Sequence, residues 1–182
     1  MTKIRNTAPY IVQIVGYKNT GKSTLTAALT RYLTSIGRNV AVIKHDGHDH
    51  FEMDHAGTDS YSFTHAGAAA VVVMSDNRTA IMKQQPTALD EMLSYLSDDY
   101  DWILIEGYKQ ATFSKLLLVR EEKDFALSET LHGVIGIISW LPVEKNKLLQ
   151  AAEEELVWHS VDETEQIAKW LVSLEGNVEG HV

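Results

Sequence analysis

The apolar positions of this chain fall into short continuous runs separated by stretches with helical spacing. Tyr10-Ile11-Val12-Gln13-Ile14-Val15 is a run of the kind that fills a buried strand. Over residues 22–36, Leu25, Ala28, Leu29, Tyr32, Leu33 and Ile36 recur every three or four positions, with Gly37 as the stop, which predicts a helix. Residues 39–44, NVAVIK, read as the next strand. Strand, helix and strand make one βαβ crossover, so the first two strands are expected to be parallel, and we take them as neighbours.

The pattern then breaks. Residues 45–67 hold five of the eight histidines (His45, His48, His50, His55 and His65) and four aspartates, with little apolar periodicity before Thr58 and a short helix expected from Asp59 to Ala66. A polar connection of this length reads as either a functional loop or a disordered segment, and its place at a strand's carboxyl end is where ligands of open α/β sheets bind. Two apolar segments, 68–74 and 78–83, flank Ser75-Asp76-Asn77 and predict a β-hairpin whose exposed edge can serve self-association. Pro86 ends it, and 88–96 predicts a helix with Leu89, Met92, Leu93 and Leu96 inward. Residues 101–106 (DWILIE), 115–120 (KLLLVR) and 133–140 (GVIGIISW) read as strands. A helix over 143–153, a short strand at 156–158 and a last helix capped by Asp162, with a frayed tail over 175–182, complete an α/β chain.

Chemistry enters at the first strand-to-helix turn. GYKNTGKST, residues 16–24, places Gly16-x4-Gly21-Lys22-Ser23 where a phosphate-binding loop belongs. Gly16 and Gly21 allow the N–H groups of Tyr17, Lys18, Asn19 and Thr20 to curl around phosphate oxygens. Lys22 can reach β- and γ-phosphates as a point charge, and the Ser23 hydroxyl is placed to ligate Mg²⁺. Thr24 reads as a first-turn residue near the α-phosphate. The expectation is a P-loop NTPase fold, a mostly parallel sheet flanked by helices with an inserted hairpin, in a single nucleotide-binding domain.

Glu106 ends the run Trp102-Ile103-Leu104-Ile105, so a buried parallel strand delivers a carboxylate to its tip, and Gly107 lets the chain turn away. That acid can hold the metal's water shell or polarise an attacking water. Glu in place of the more usual Asp leaves inner- and outer-sphere contact both open. Asp59 has two readings of equal standing: a ligand of the nucleotide or its metal, or a plain helix N-cap.

Composition narrows the classes. The 182 residues carry 16 basic and 25 acidic side chains, a formal charge of −9, and no basic stripe interleaved with aromatics, which disfavours a nucleic-acid role. With no cysteine there is no disulfide and no thiolate metal site. The opening MTKIRNTAPY lacks an apolar core, and no run approaches membrane-spanning length, so a soluble cytoplasmic protein is expected. Asn146-Lys147 is not a guanine-reading NKxD element, since position 149 is Leu.

GYKNTGKST, VIKHDGHDHFEMDHAGTDSYSFTHAGA and ILIEGYK, in this order and spacing, resemble the molybdopterin-guanine dinucleotide biosynthesis protein B family of P-loop GTP-binding proteins. The resemblance covers residues 10 to about 120 and rests on Lys44-His45, Gly57-x-Asp59-Ser60, Ala66-Gly67-Ala68 and Glu106-Gly107-x-Lys109 together. The extra histidines within 45–55 depart from the family pattern. The resemblance implies GTP and Mg²⁺ as ligands, a homodimer, and help to a nucleotidyltransferase attaching GMP to molybdopterin, with molybdopterin itself a further candidate ligand. Two alternatives stay open: a metal-delivery GTPase carrying Ni²⁺ or Zn²⁺ on the histidine-rich loop, and a small-molecule kinase. His48, His50 and His55 have no fixed geometry, and no tight transition-metal site is expected. Arg5, Arg31, Arg38, Arg78 and Arg120 are scattered and none follows the loop or Glu106 closely, so slow hydrolysis is expected.

Overall fold

The computed structural model describes residues 8–47, 51–142 and 156–175. The described residues fall into two compact units, one within residues 8–45 and 96–175, the other within residues 46–95. The larger contains a six-stranded parallel sheet in the order β2-β5-β1-β6-β7-β8. Its strands are β1 (Tyr10–Gly16), β2 (Val40–Lys44), β5 (Trp102–Glu106), β6 (Ser114–Val119), β7 (Val134–Ser139) and β8 (Val157–Ser160). Helix α1 (Lys22–Ser35), a 3-10 helix (Glu122–Thr130) and α4 (Thr164–Leu174) cover it. One face packs Val12, Ile14, Leu104, Leu116 and Leu118 against Leu25, Leu29 and Leu33 of α1 and Ile167, Ala168 and Leu171 of α4. The other packs Val15, Leu117, Val119 and Ile137 against Phe125 and Leu131. Both faces of the central strands are therefore dry, which is why their sequences read as unbroken apolar runs.

β1 and β2 run parallel, but they are not neighbours as expected: β5 lies between them, with Ile103 pairing both Ile11 and Ala41. Burial explains the insertion. All five residues of β5 are buried, so it belongs in the interior of the sheet, whereas β2 leaves Val42 exposed and suits an edge. The order places Glu106 beside the end of β1, where the loop begins.

The 3-10 helix has no apolar period and was not expected from the sequence. A reciprocal capping box between Glu121 and Asp124 starts it. Asp162 does not cap α4. Glu163 occupies that position, its carboxylate accepting the Ser160 N–H at 2.9 Å. The helix expected over 143–153 lies outside the described residues, as does the tail beyond 175.

The smaller unit holds α2 (Asp59–His65), the antiparallel hairpin β3 (Ala70–Ser75) and β4 (Arg78–Lys83), and most of α3 (Leu89–Leu96). Ser75 pairs with Arg78, leaving Asp76-Asn77 as the turn. Thr58, not Asp59, caps α2: its Oγ1 accepts from the Tyr61 N–H at 3.2 Å and donates to Asp54, so Asp59 sits exposed in the first turn. The acid next in line lost the cap because the threonine hydroxyl both donates and accepts.

Candidate functional site

The chain leaves β1 at Gly16, a position closed to any larger residue. A Cβ there would lie 2.8 Å from the Leu118 carbonyl oxygen and 2.9 Å from Thr20 Oγ1. Asn19 at φ +64° and Gly21 at φ +98° then curl the loop into the first turn of α1. Asn19 and Tyr108 are the non-glycine residues with positive φ among the described ones, and they stand in the two turns that flank the site. Thr20 is buried beneath the loop, its hydroxyl donating to Tyr17 O at 2.9 Å. Gly21 is the N-cap of α1 and brings no capping side chain, so the helix's first N–H groups and its positive end serve the cleft.

That cleft, about 310 Å³, is lined by Lys18, Asn19, Gly21, Lys22, Ser23, Thr24, Lys44 and Glu106. Six of the predicted loop residues are thus brought together with Glu106. Gly16 and Thr20 support the floor, and Tyr17 stands beside it with Lys109 Nζ 4.7 Å above its ring. Asp59 belongs to the other unit. Ser23 Oγ donates to Glu106 Oε1 at 2.9 Å, and Lys44 Nζ lies 3.5 Å from the same oxygen. Three lysines against one carboxylate make the cleft locally cationic on a chain of net charge −9. A larger cleft of about 590 Å³ in the smaller unit, lined by Phe63, Ala66, Gly67, Ala68, Ala70, Val71 and Val72, offers no charged or hydroxyl side chain for such chemistry.

The turn after Glu106 is built from a strand residue with an unexpected role. Gln13 is fully buried in β1, and its Nε2 donates to the carbonyls of Gly107 at 3.1 Å and Tyr108 at 2.8 Å. Its register partner Lys115, also fully buried, donates to Phe113 O at 3.0 Å and to Ala111 O. Two polar side chains inside the sheet thereby hold the loop that carries Lys109.

Lys22 Nζ donates to Tyr17 O at 2.6 Å. Burial pushes its ammonium below the ordinary lysine value; Lys109 and Lys44 push the same way, and Glu106 opposes them. An entering phosphate would pull it back up. Binding a triphosphate in alkaline solution is therefore expected to take up protons, and affinity to fall as pH rises through the depressed value. Calorimetry in alkaline solution, in two buffers of different ionisation enthalpy, checks this. Identical heats would show that Lys22 does not titrate on binding.

Arg120 and Trp140 also reach the loop, and sequence reasoning missed both. Arg120 Nη1 donates to Asn19 O at 2.8 Å, and Trp140 Nε1 to Thr20 O at 2.8 Å. Arg120 is therefore not scattered away from the loop, as its sequence position implied: β6 is hydrogen-bonded to β1 and ends beside it. No group of three or more His, Cys, Asp or Glu gathers among the described residues, and His48 and His50 lie outside them. No helix among the described residues is long and apolar enough to cross a membrane.

Comparison with known proteins identifies a family. The family model for molybdopterin guanine dinucleotide synthesis protein B matches residues 11–140. A molybdopterin-guanine dinucleotide biosynthesis adapter protein from Haemophilus influenzae is 33% identical over 144 residues, covering 76% of this chain and 79% of that protein. Its Escherichia coli counterpart is 34% identical over 140 residues, covering 73% and 79%. The crystal structure of Bacillus subtilis MobB superposes with a TM-score of 0.71 at 26% identity, covering 94% of this chain and 99% of that one.

Proposed function

The chain belongs to the molybdopterin guanine dinucleotide synthesis protein B family, and from that premise we propose that it is an adapter that binds GTP with Mg²⁺ and assists a partner nucleotidyltransferase in attaching GMP to molybdopterin. The observation that carries the nucleotide reading is the Ser23 hydroxyl held 2.9 Å from the Glu106 carboxylate at the mouth of the loop. Hydroxyl and carboxylate oxygens are the hard donors that suit Mg²⁺, which takes few protein ligands beside phosphate and water. Mg²⁺, when bound, supplies neutralisation of charge between the β- and γ-phosphates. Lys22 and the first-turn N–H groups bind the phosphates, and Lys44 and Lys109 raise the local positive potential. The hairpin exposes Val72, Val73, Met74 and Ile81, a surface suited to homodimer formation.

Titration with GTP in the presence and absence of Mg²⁺ tests the site. The intact chain is expected to bind more tightly with Mg²⁺, and Ser23→Ala and Glu106→Gln to lose most of that gain, about tenfold or more for each charge-assisted contact removed. A Mg²⁺ dependence that survives both substitutions in folded protein would rule these residues out as its ligands.

A further inference from the structure

A nucleoside triphosphate has two ends, and the groups described so far account for one. Ser23, Lys44 and Glu106 lie on the β5–β2 side of β1 and mark the terminal phosphate and its cation. On the triphosphate reading proposed above, the nucleoside leaves the loop on the other side, where β6 and β7 run on into Arg120 and Trp140. Neither residue has a part in the phosphate chemistry, yet both bond to the loop backbone, at Asn19 and Thr20, and the guanidinium carbon lies over the indole ring, 5.7 Å from its centroid.

Both residues are also anchored through their backbones. The Arg120 backbone N–H donates to the buried Asp124 carboxylate at 2.8 Å, and the Trp140 N–H to Val119 O at 3.0 Å. A structural tryptophan with such anchors belongs under cover, as Trp102 is, at 0% exposure; Trp140 is 50% exposed. A rigid, half-exposed indole beside a phosphate site is a platform for an aromatic base. A guanidinium has five donors, and one bond to Asn19 leaves others free for acceptors. Guanine presents two acceptors, O6 and N7, on one edge, whereas adenine puts an amino donor in place of O6.

We infer that Trp140 and Arg120 form the nucleobase subsite of the loop, the indole face stacking the base and the guanidinium reading the O6/N7 edge of guanine. This rests on the triphosphate reading proposed above. It also supplies guanine selection in a chain whose Asn146-Lys147 pair is not the usual guanine-reading element.

Calorimetry of the full chain with Mg²⁺ and three ligands, GTP, ATP and inorganic tripolyphosphate, tests it. Trp140→Ala is expected to weaken GTP about tenfold, the order for one lost base stack, and to leave tripolyphosphate unchanged. Trp140→Phe keeps a stacking face, loses the bond to Thr20, and should retain most of the GTP affinity. Arg120→Gln should shift preference from GTP toward ATP. Equal losses for GTP and tripolyphosphate in Trp140→Ala would mean that the indole only props the loop, and would overturn the subsite. An unchanged GTP-to-ATP ratio in Arg120→Gln would overturn the guanine-reading role. If the intact chain binds neither tripolyphosphate nor GTP, the phosphate site itself fails; if it binds tripolyphosphate as tightly as GTP, the subsite alone does.

Discussion

Lys22→Ala is expected to weaken GTP binding by about 2 kcal/mol or more, roughly thirtyfold, without unfolding the chain. The side chain's hydrogen bond is to Tyr17 O within the same loop, so its removal leaves the sheet and the packing of α1 through Leu25, Leu29 and Leu33 untouched. What it takes away is a partly desolvated cation, and desolvation strengthens its attraction for phosphate oxygens over that of a lysine in open water. Lys44 and Lys109 remain, so the loss should be large but not total. Calorimetric titration against GTP, with a thermal melt to verify folding, decides the matter. Unchanged affinity in a folded variant would remove the phosphate-loop reading altogether.

The loop was legible because its signal is local: strand, glycines, lysine and hydroxyl occur within one short span, and the backbone angles at Gly16 and Gly21 follow from it. Glu106 was legible for a similar reason, since an acid at the end of WILIE has nowhere to go but the strand's carboxyl tip. Strand order was less so. Every central strand reads as an apolar run, and burial of the whole of β5, which decides its place between β1 and β2, is a property of the assembled sheet.

Residues that meet the loop from far along the chain left no local mark. Arg120 and Trp140 stand 101 and 120 positions from the carbonyls they hold. Gln13 and Lys115 are polar interruptions in apolar strands, and their partners are carbonyls of a turn whose path no periodicity reveals. A polar residue inside a buried run must find partners, and that requirement is the signal by which they could have been found. The 3-10 helix was hidden because Asp124, its defining residue, looks in sequence like one more surface charge, although it is buried and accepts two backbone N–H groups.

GTP hydrolysis by the chain alone is expected to take minutes or longer per turnover, as for GTPases that lack a transition-state cation of the arginine-finger type. Fast transfer needs an oriented water and a cation on the charge that develops, and absence of the cation slows the reaction by about 10³ to 10⁵. Arg120 reaches the loop, but its guanidinium is bound to Asn19 O on the β6 side of β1, opposite Glu106. Lys44 and Lys109 bring point charges, not the planar fork that grips phosphoryl oxygens in pairs. Glu106 is itself engaged, accepting from Ser23 and paired with Lys44, so it is not a free base for water. Completion of the site then falls to a partner, which under the function proposed here is the nucleotidyltransferase. Single-turnover assays with and without that enzyme should differ, and its binding should depend on whether GTP, GDP or nothing occupies the loop. Turnover by the chain alone on the order of one per second or faster, or partner binding indifferent to the nucleotide, would show that this protein is not a nucleotide-dependent adapter.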